Sequence, residues 1–174
     1  MKNFGGKILF LDRSDINTDE IIPAKYLNEL TKEDLKPHIL EDLRLDGFNV
    51  NKDVKDKTVI ITRANFGCGS SREHAAWVFE CNNLNLVIAS NFARIFRQNF
   101  FNCGMMAAEV SEAQIDAIFE KYSNTDAVAE VDLDRKKIKI FNQANSDTYE
   151  FKIGGFEEAL IRTEGWLGFT DTKY

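Results

Sequence analysis

The chain has 174 residues, 44% hydrophobic and 29% charged, with a formal net charge of −6. That length and balance predict one globular domain and exclude a disordered chain. The acidic charge excludes the basic footprint of a nucleic-acid binder and attraction to an anionic membrane surface.

KILFL (7–11) reads as the first strand. The residues around it lack the long apolar core and small-residue cleavage site of a secretory signal. No apolar run approaches the ~20 residues needed to span a bilayer, so the expected compartment is the cytoplasm. RSDINTDE (13–20) is turn chemistry, in which Ser, Asp and Asn side chains bond nearby backbone. TKEDLKPHILEDL (31–43) reads as a helix capped by Thr31 and broken or kinked at Pro37. TVIIT (58–62) is short, β-branched and apolar, the mark of a buried strand. NFGCGSSREHAAW (65–77) follows and runs into a stretch of helical character that ends near residue 83.

NLVIAS (85–90) predicts another buried strand, and FARIFRQNFFNCG (92–104) a helix stopped by Gly104. MMAAEV (105–110) is a further short strand. Ser111 then caps a helix, with Gln114 completing a capping box. Beyond it the pattern changes: AVAEVDLDRKKIKIF alternates on either side of Asp134–Arg135, and TYEFKI (148–153) alternates again. GFEEALIR (155–162) predicts a last short helix. The fold class that follows is α/β, a single domain over residues 1–174 with a mixed sheet and antiparallel strands in its C-terminal third. Functional loops are expected at the ends of the parallel strands.

Cys68, Cys81 and Cys103 are odd in number and widely spaced, which is not a disulfide framework. No two of them form the C-x-x-C spacing of iron–sulfur ligands, so they read as loop or core thiols in a reducing compartment. His38 and His74 have no paired ligands, and the chain carries no metal signature.

The segment 65–77 concentrates the chemistry. A strand, a glycine loop and a helix start make an anion site, because the first helical N–H groups lack intrahelical partners. Gly67 and Gly69 allow close approach to backbone, and Arg72 adds a fork that matches a carboxylate. Ser70-x-x-Glu73 also has the spacing of a capping box, which would make Ser70 a cap rather than a chemical group. A phosphate loop would need Lys followed by Ser or Thr after Gly69, and a hydrolase elbow would need G-x-S-x-G; neither is present. His74, one helical turn beyond Ser70, is poorly placed as its partner.

At these residues the chain resembles the mobile swivel domain of the aconitase superfamily, and is especially similar to the small subunits of 3-isopropylmalate dehydratases. DINTDEIIPAKYL (15–27) and SNFARIFRQNFFNCG (90–104) are similar to two further segments of that family. The likeness covers most of residues 6–110 and little of the β-rich tail. It implies a swivelling β/β/α domain and a hydro-lyase activity in leucine biosynthesis. In that reaction 2-isopropylmalate loses water, and the alkene is rehydrated with the hydroxyl on the neighbouring carbon. It also implies a large-subunit partner, in a heterodimer or heterotetramer, that carries a 4Fe–4S cluster binding the substrate hydroxyl. No cofactor or metal is implied for this chain itself.

Residue by residue, the resemblance makes Ser70 the general base that takes a proton from the carbon beside a carboxylate. Ser71 matches a hydroxyl that bonds substrate, Arg72 a carboxylate clamp, and Asp19 an acid standing behind them. Cys68 occupies the place of an acidic residue in full-length aconitases. Relatives that bind an extra carboxylate carry an Arg after the first loop; here Asn28 lies near that point, after Leu27. Leu27 and Asn28 are therefore expected to set specificity, towards an apolar group such as isopropyl. Lys25 is either within reach of the site or solvated. Two other readings stand beside this one. The first is a small subunit for another hydroxy-acid dehydratase, of homoaconitase or methylmalate type. The second is a stand-alone carboxylate-binding module.

Overall fold

Four apolar runs too short for helices form the parallel half of one sheet. They are β1 (Gly6–Leu11), β2 (Val59–Thr62), β3 (Leu86–Ala89) and β4 (Met106–Glu109). The computed structural model describes residues 1–28 and 31–173. β2 and β3 are buried at every position, as the continuous β-branched and apolar runs require. Three antiparallel strands complete the sheet: β5 (Val128–Asp132), β6 (Lys137–Phe141) and β7 (Ser146–Glu150). The strand order is β4-β3-β2-β1-β5-β6-β7.

β1 joins the two halves. Ile8 to Leu11 pair in parallel with Val59 to Thr62, whereas only Gly6 and Lys7 pair with β5, opposite Ala129 and Val128. The helices are α1 (Thr18–Ile21), α2 (Lys32–Leu35), α3 (Val50–Asp53), α4 (Glu73–Cys81), α5 (Arg94–Asn102), α6 (Glu112–Tyr122), α7 (Gly155–Arg162) and α8 (Trp166–Lys173). Strands β1 to β4 advance in one direction across the sheet. Right-handed crossovers therefore place α4 and α5 on the same face. The chain then reverses to reach β5, and α6 covers the other face, where Phe119 meets Phe10 edge-on at 5.6 Å.

Most expected elements are present, with three corrections. Thr31 caps α2 through its hydroxyl, but the α-helix ends at Leu35 and a 3-10 turn (Lys36–His38) replaces the rest. Pro37 has no N–H to continue the ladder, so the α-helical bonding stops although Lys36 keeps helical backbone at φ −48° and ψ −48°. The last strand lies two residues earlier than the alternation of TYEFKI predicts. The Asn142 side chain accepts from Ala144 and Asn145 N–H, closing a tight turn that sets the register at Phe141 opposite Ser146. α1, which falls where turn chemistry was expected, α3 and α8 were not predicted. α8 contains a glycine and two threonines, poor helix formers, and its place is fixed by packing.

Gly104 shows how that packing works. It ends α5 at a φ of +74°, and a Cβ there would lie 2.6 Å from the Glu164 carbonyl carbon. Gly104→Ala thus adds backbone strain to a clash with the α7–α8 turn. Urea denaturation should show a loss of about 2–4 kcal/mol.

Candidate active site

The loops that follow β1, β2 and β3 meet at the C-terminal edge of the parallel strands. Backbone pairing stitches them together. Asn17 forms an isolated parallel bridge with Cys68, and Phe66 forms another with Phe92. Gly67 N–H donates to the Ile16 carbonyl at 2.8 Å, and Ala93 N–H donates to the Phe66 carbonyl at 2.9 Å. Asn65 takes left-handed backbone at φ +56°, tolerated by its short polar side chain. Its side chain donates to Asp15 at 2.9 Å, and its N–H donates to the Asn91 side chain at 2.5 Å.

The first loop carries its own brace. Asn17 caps α1 by accepting from Glu20 N–H, while the Glu20 carboxylate accepts from Asn17 N–H. Glu20 also pairs with Arg13. In the second loop, Gly67 is at φ +82°, and a Cβ there would stand 2.2 Å from Cγ of Phe96. Phe96 belongs to a ring cluster with Phe66, Phe79, Phe92 and Phe100. The glycine loop therefore lies directly on the core, and its turn cannot be loosened without displacing an aromatic ring.

α4 begins at Glu73, with Arg72 in the capping position and no side-chain cap. The capping box suggested by Ser70-x-x-Glu73 does not form, because Glu73 is the first helical residue rather than the third. The Ser70 carbonyl instead accepts from the Thr18 hydroxyl at 2.8 Å. Ser70 and Ser71 are both exposed, and neither hydroxyl has a hydrogen-bond partner among the described residues.

Arg72 is held more firmly. Its side chain is 11% exposed, and Nη1 sits 2.5 Å from Oδ1 of Asp19, which is 61% exposed. Nη1 also donates to the Ile22 carbonyl at 3.3 Å. An ion pair with so exposed a carboxylate adds little stability; it orients the guanidinium. Nε and Nη2 have no hydrogen-bond partner among the described residues. Two donors of a planar fork are left for an incoming carboxylate.

The structure thus brings Asp19, Ser70 and Arg72 together, with Ser71 between the last two. Leu27 and Asn28 lie further along the first loop, beyond the 3-10 turn Ala24–Tyr26. Leu27 is half-buried, Asn28 is exposed, and neither side chain bonds to the other three among the described residues. Lys25 is exposed, with Nζ over the Tyr26 ring at 5.1 Å. His74 packs against Trp77 with ring centroids 4.7 Å apart, and no hydrogen bond to Ser70 is seen. Thr18 and the Asn17–Glu20 brace escaped sequence reading. The brace had a signal, since Asn-x-x-Glu ahead of an apolar pair has capping-box spacing.

The three thiols all stand above their ordinary range. Burial pushes Cys103 up to about 12 and Cys81 up to about 11. Burial also raises Cys68, with Asp15 and Glu20 adding to the effect. Among the described residues no three His, Cys, Asp or Glu side chains are grouped as metal ligands. No helix among them is long and apolar enough to cross a membrane.

Fold and site together define a class: an α/β domain that presents serine hydroxyls and a braced arginine at the edge of a parallel sheet. Comparison with known proteins narrows the class. The aconitase C-terminal domain matches residues 2–113. The 3-isopropylmalate dehydratase small subunit of Clostridium beijerinckii is 36% identical over 165 residues, covering 94% of this chain and 95% of that protein. The subunit of the same name from Endomicrobium trichonymphae is 39% identical, over 90% of each chain. The crystal structure of 3-isopropylmalate dehydratase from Methanocaldococcus jannaschii superposes with a TM-score of 0.77 at 28% identity, over 98% of this chain and 94% of that one. The chain belongs to the aconitase C-terminal domain family, in the branch of the 3-isopropylmalate dehydratase small subunits.

Proposed function

We propose that residues 1–174 act in the cytoplasm as one swivel domain. It is the small subunit of a hydro-lyase that converts 2-isopropylmalate into 3-isopropylmalate in leucine biosynthesis. The observation that carries this reading is the pairing of an exposed, unbonded Ser70 hydroxyl with an Arg72 fork that is braced on one side and open on the other. Relatives alike over nearly the whole chain bear the small-subunit name.

In this reading the partner is a large subunit, in a heterodimer or heterotetramer, and the 4Fe–4S cluster it carries supplies a Lewis acid for the substrate hydroxyl. This chain does the rest of the positioning. Arg72 takes one substrate carboxylate in bidentate fashion, and Ser71 adds a hydroxyl contact. Ser70 removes the proton from the carbon beside that carboxylate and returns one to the alkene on rehydration. A serine is a weak base in water, so it needs fixed donors and a site closed to solvent. The Arg72 cation and the unpaired N–H groups at the start of α4 supply charge of the right sign. Asp19 keeps Arg72 in place. Leu27 and Asn28 face the remaining substituent, where the lack of an arginine favours isopropyl over a third carboxylate.

Co-expression with a cluster-bearing large subunit is the test. The pair should co-purify and convert isopropylmalate faster than citrate, homocitrate or methylmalate, and this chain alone should be colourless and inactive. A preference for homocitrate or methylmalate would reassign the substrate within the class. Tight binding of a carboxylate by this chain alone, with no activity in any pair, would make it a binding module.

A further inference from the structure

Thr18 carries a polar side chain that the proposed chemistry leaves unused. It is 2% exposed, and among the described residues only Thr62 and Asn85 are also buried and polar. The two threonines serve opposite ends of the glycine loop. Thr62, at the end of β2, donates to the Arg13 carbonyl of the first loop at 3.2 Å. Thr18, in the first loop, donates back to the Ser70 carbonyl at 2.8 Å, and its own N–H donates to the Cys68 carbonyl at 2.8 Å. A buried hydroxyl must find a partner, and this one finds the peptide of the proposed base.

That peptide is trans, and a trans peptide is planar, so its C=O and N–H point in opposite directions. Turning the Ser70 carbonyl inward onto Thr18 turns the Ser71 N–H outward. Ser71 is exposed, and its N–H has no partner among the described residues. We propose that Thr18 is a positioning residue: by holding the Ser70 carbonyl it fixes the Ser70–Ser71 peptide, and so turns the Ser71 N–H to the exposed side of the loop in support of the Ser70 hydroxyl. The inference rests on Ser70 acting as the base. Negative charge on the Ser70 oxygen is then met by a donor already in place, which needs no reorganisation during the reaction.

Thr18→Val keeps the volume and removes the hydroxyl; Thr18→Ser restores it. Both are measured in the co-expressed complex with isopropylmalate, beside Ser70→Ala and the double variant. Thr18→Val should lower kcat about 10- to 100-fold with KM nearly unchanged, because substrate is still gripped by Arg72. The acid limb of its kcat–pH profile should move to higher pH, since a less supported Ser70 is harder to deprotonate. Thr18→Ser should recover most of the rate, and adding Thr18→Val to Ser70→Ala should cost nothing further. A Thr18→Val complex within twofold of wild-type kcat, or an added loss in the double variant, overturns the proposal. If Thr18→Val does not fold, Thr18→Ala replaces it on the same criteria. An undiminished Ser70→Ala enzyme would instead remove the base assignment itself, whatever Thr18 does.

Discussion

Ser70→Ala leaves the complex assembled and removes nearly all of its turnover. The expected loss in kcat is about 10²–10⁴-fold, the range for removal of a general base. The variant is clean because of where Ser70 sits. Its hydroxyl is exposed and makes no hydrogen bond among the described residues, and its backbone is tied down by groups that the substitution leaves alone. Stability should therefore change by no more than about 0.5 kcal/mol, as at other surface positions. Steady-state kinetics with the reconstituted pair, beside thermal melts of the chain alone, check both halves. Were Ser70 a cap, as its spacing from Glu73 once suggested, the result would be reversed, with stability lost and turnover kept. A full-rate alanine variant ends its assignment as base.

Arg72→Lys should cost about 10²-fold in kcat/KM, mostly through KM. Charge is preserved and shape is not: an ammonium offers no planar fork for a bidentate carboxylate. It also cannot hold Asp19 and the Ile22 carbonyl while presenting two further donors outward, as the guanidinium does here. Losing the Ile22 contact should reduce stability by about 1 kcal/mol, which a melt would register separately. Asp19→Asn keeps the size of the brace but removes its charge, and its expected cost in kcat/KM is about tenfold. If lysine at position 72 supports wild-type KM, the carboxylate is gripped elsewhere.

Short apolar runs were enough to read the four parallel strands. β2 and β3 are unbroken apolar runs, and Ser111 with Gln114 forms the capping box their spacing announces. The β7 register was not legible, because Asn142 sets it through a turn outside the alternating segment. α8 was not legible either, since its residues are poor helix formers and its position depends on contacts with Gly104 and the end of α5. At the site, the glycine loop identified itself through residue types packed closely in sequence. Thr18 did not, because its role depends on a residue 52 positions away and one hydrogen bond across loops. Local spacing alone misleads at Ser70: capping-box spacing points to a cap, whereas α4 begins at Glu73 with Arg72 in the capping position.

β1 touches the antiparallel ribbon through two residues only, and the family match ends at residue 113, just as the chain leaves the parallel strands. The small-subunit relatives nonetheless match over nearly the whole chain, ribbon included. The loops that carry Asp19, Ser70 and Arg72 follow β1 and β2, strands with a neighbour on each side. The ribbon of β5, β6 and β7 ends in an exposed turn at 143–146, while Ile138 and Ile140 join the core and Asp147 accepts from Tyr122 of α6. A change of length or charge at that turn would leave the loops of the proposed site untouched, which makes it a place to attach a probe without disturbing their chemistry.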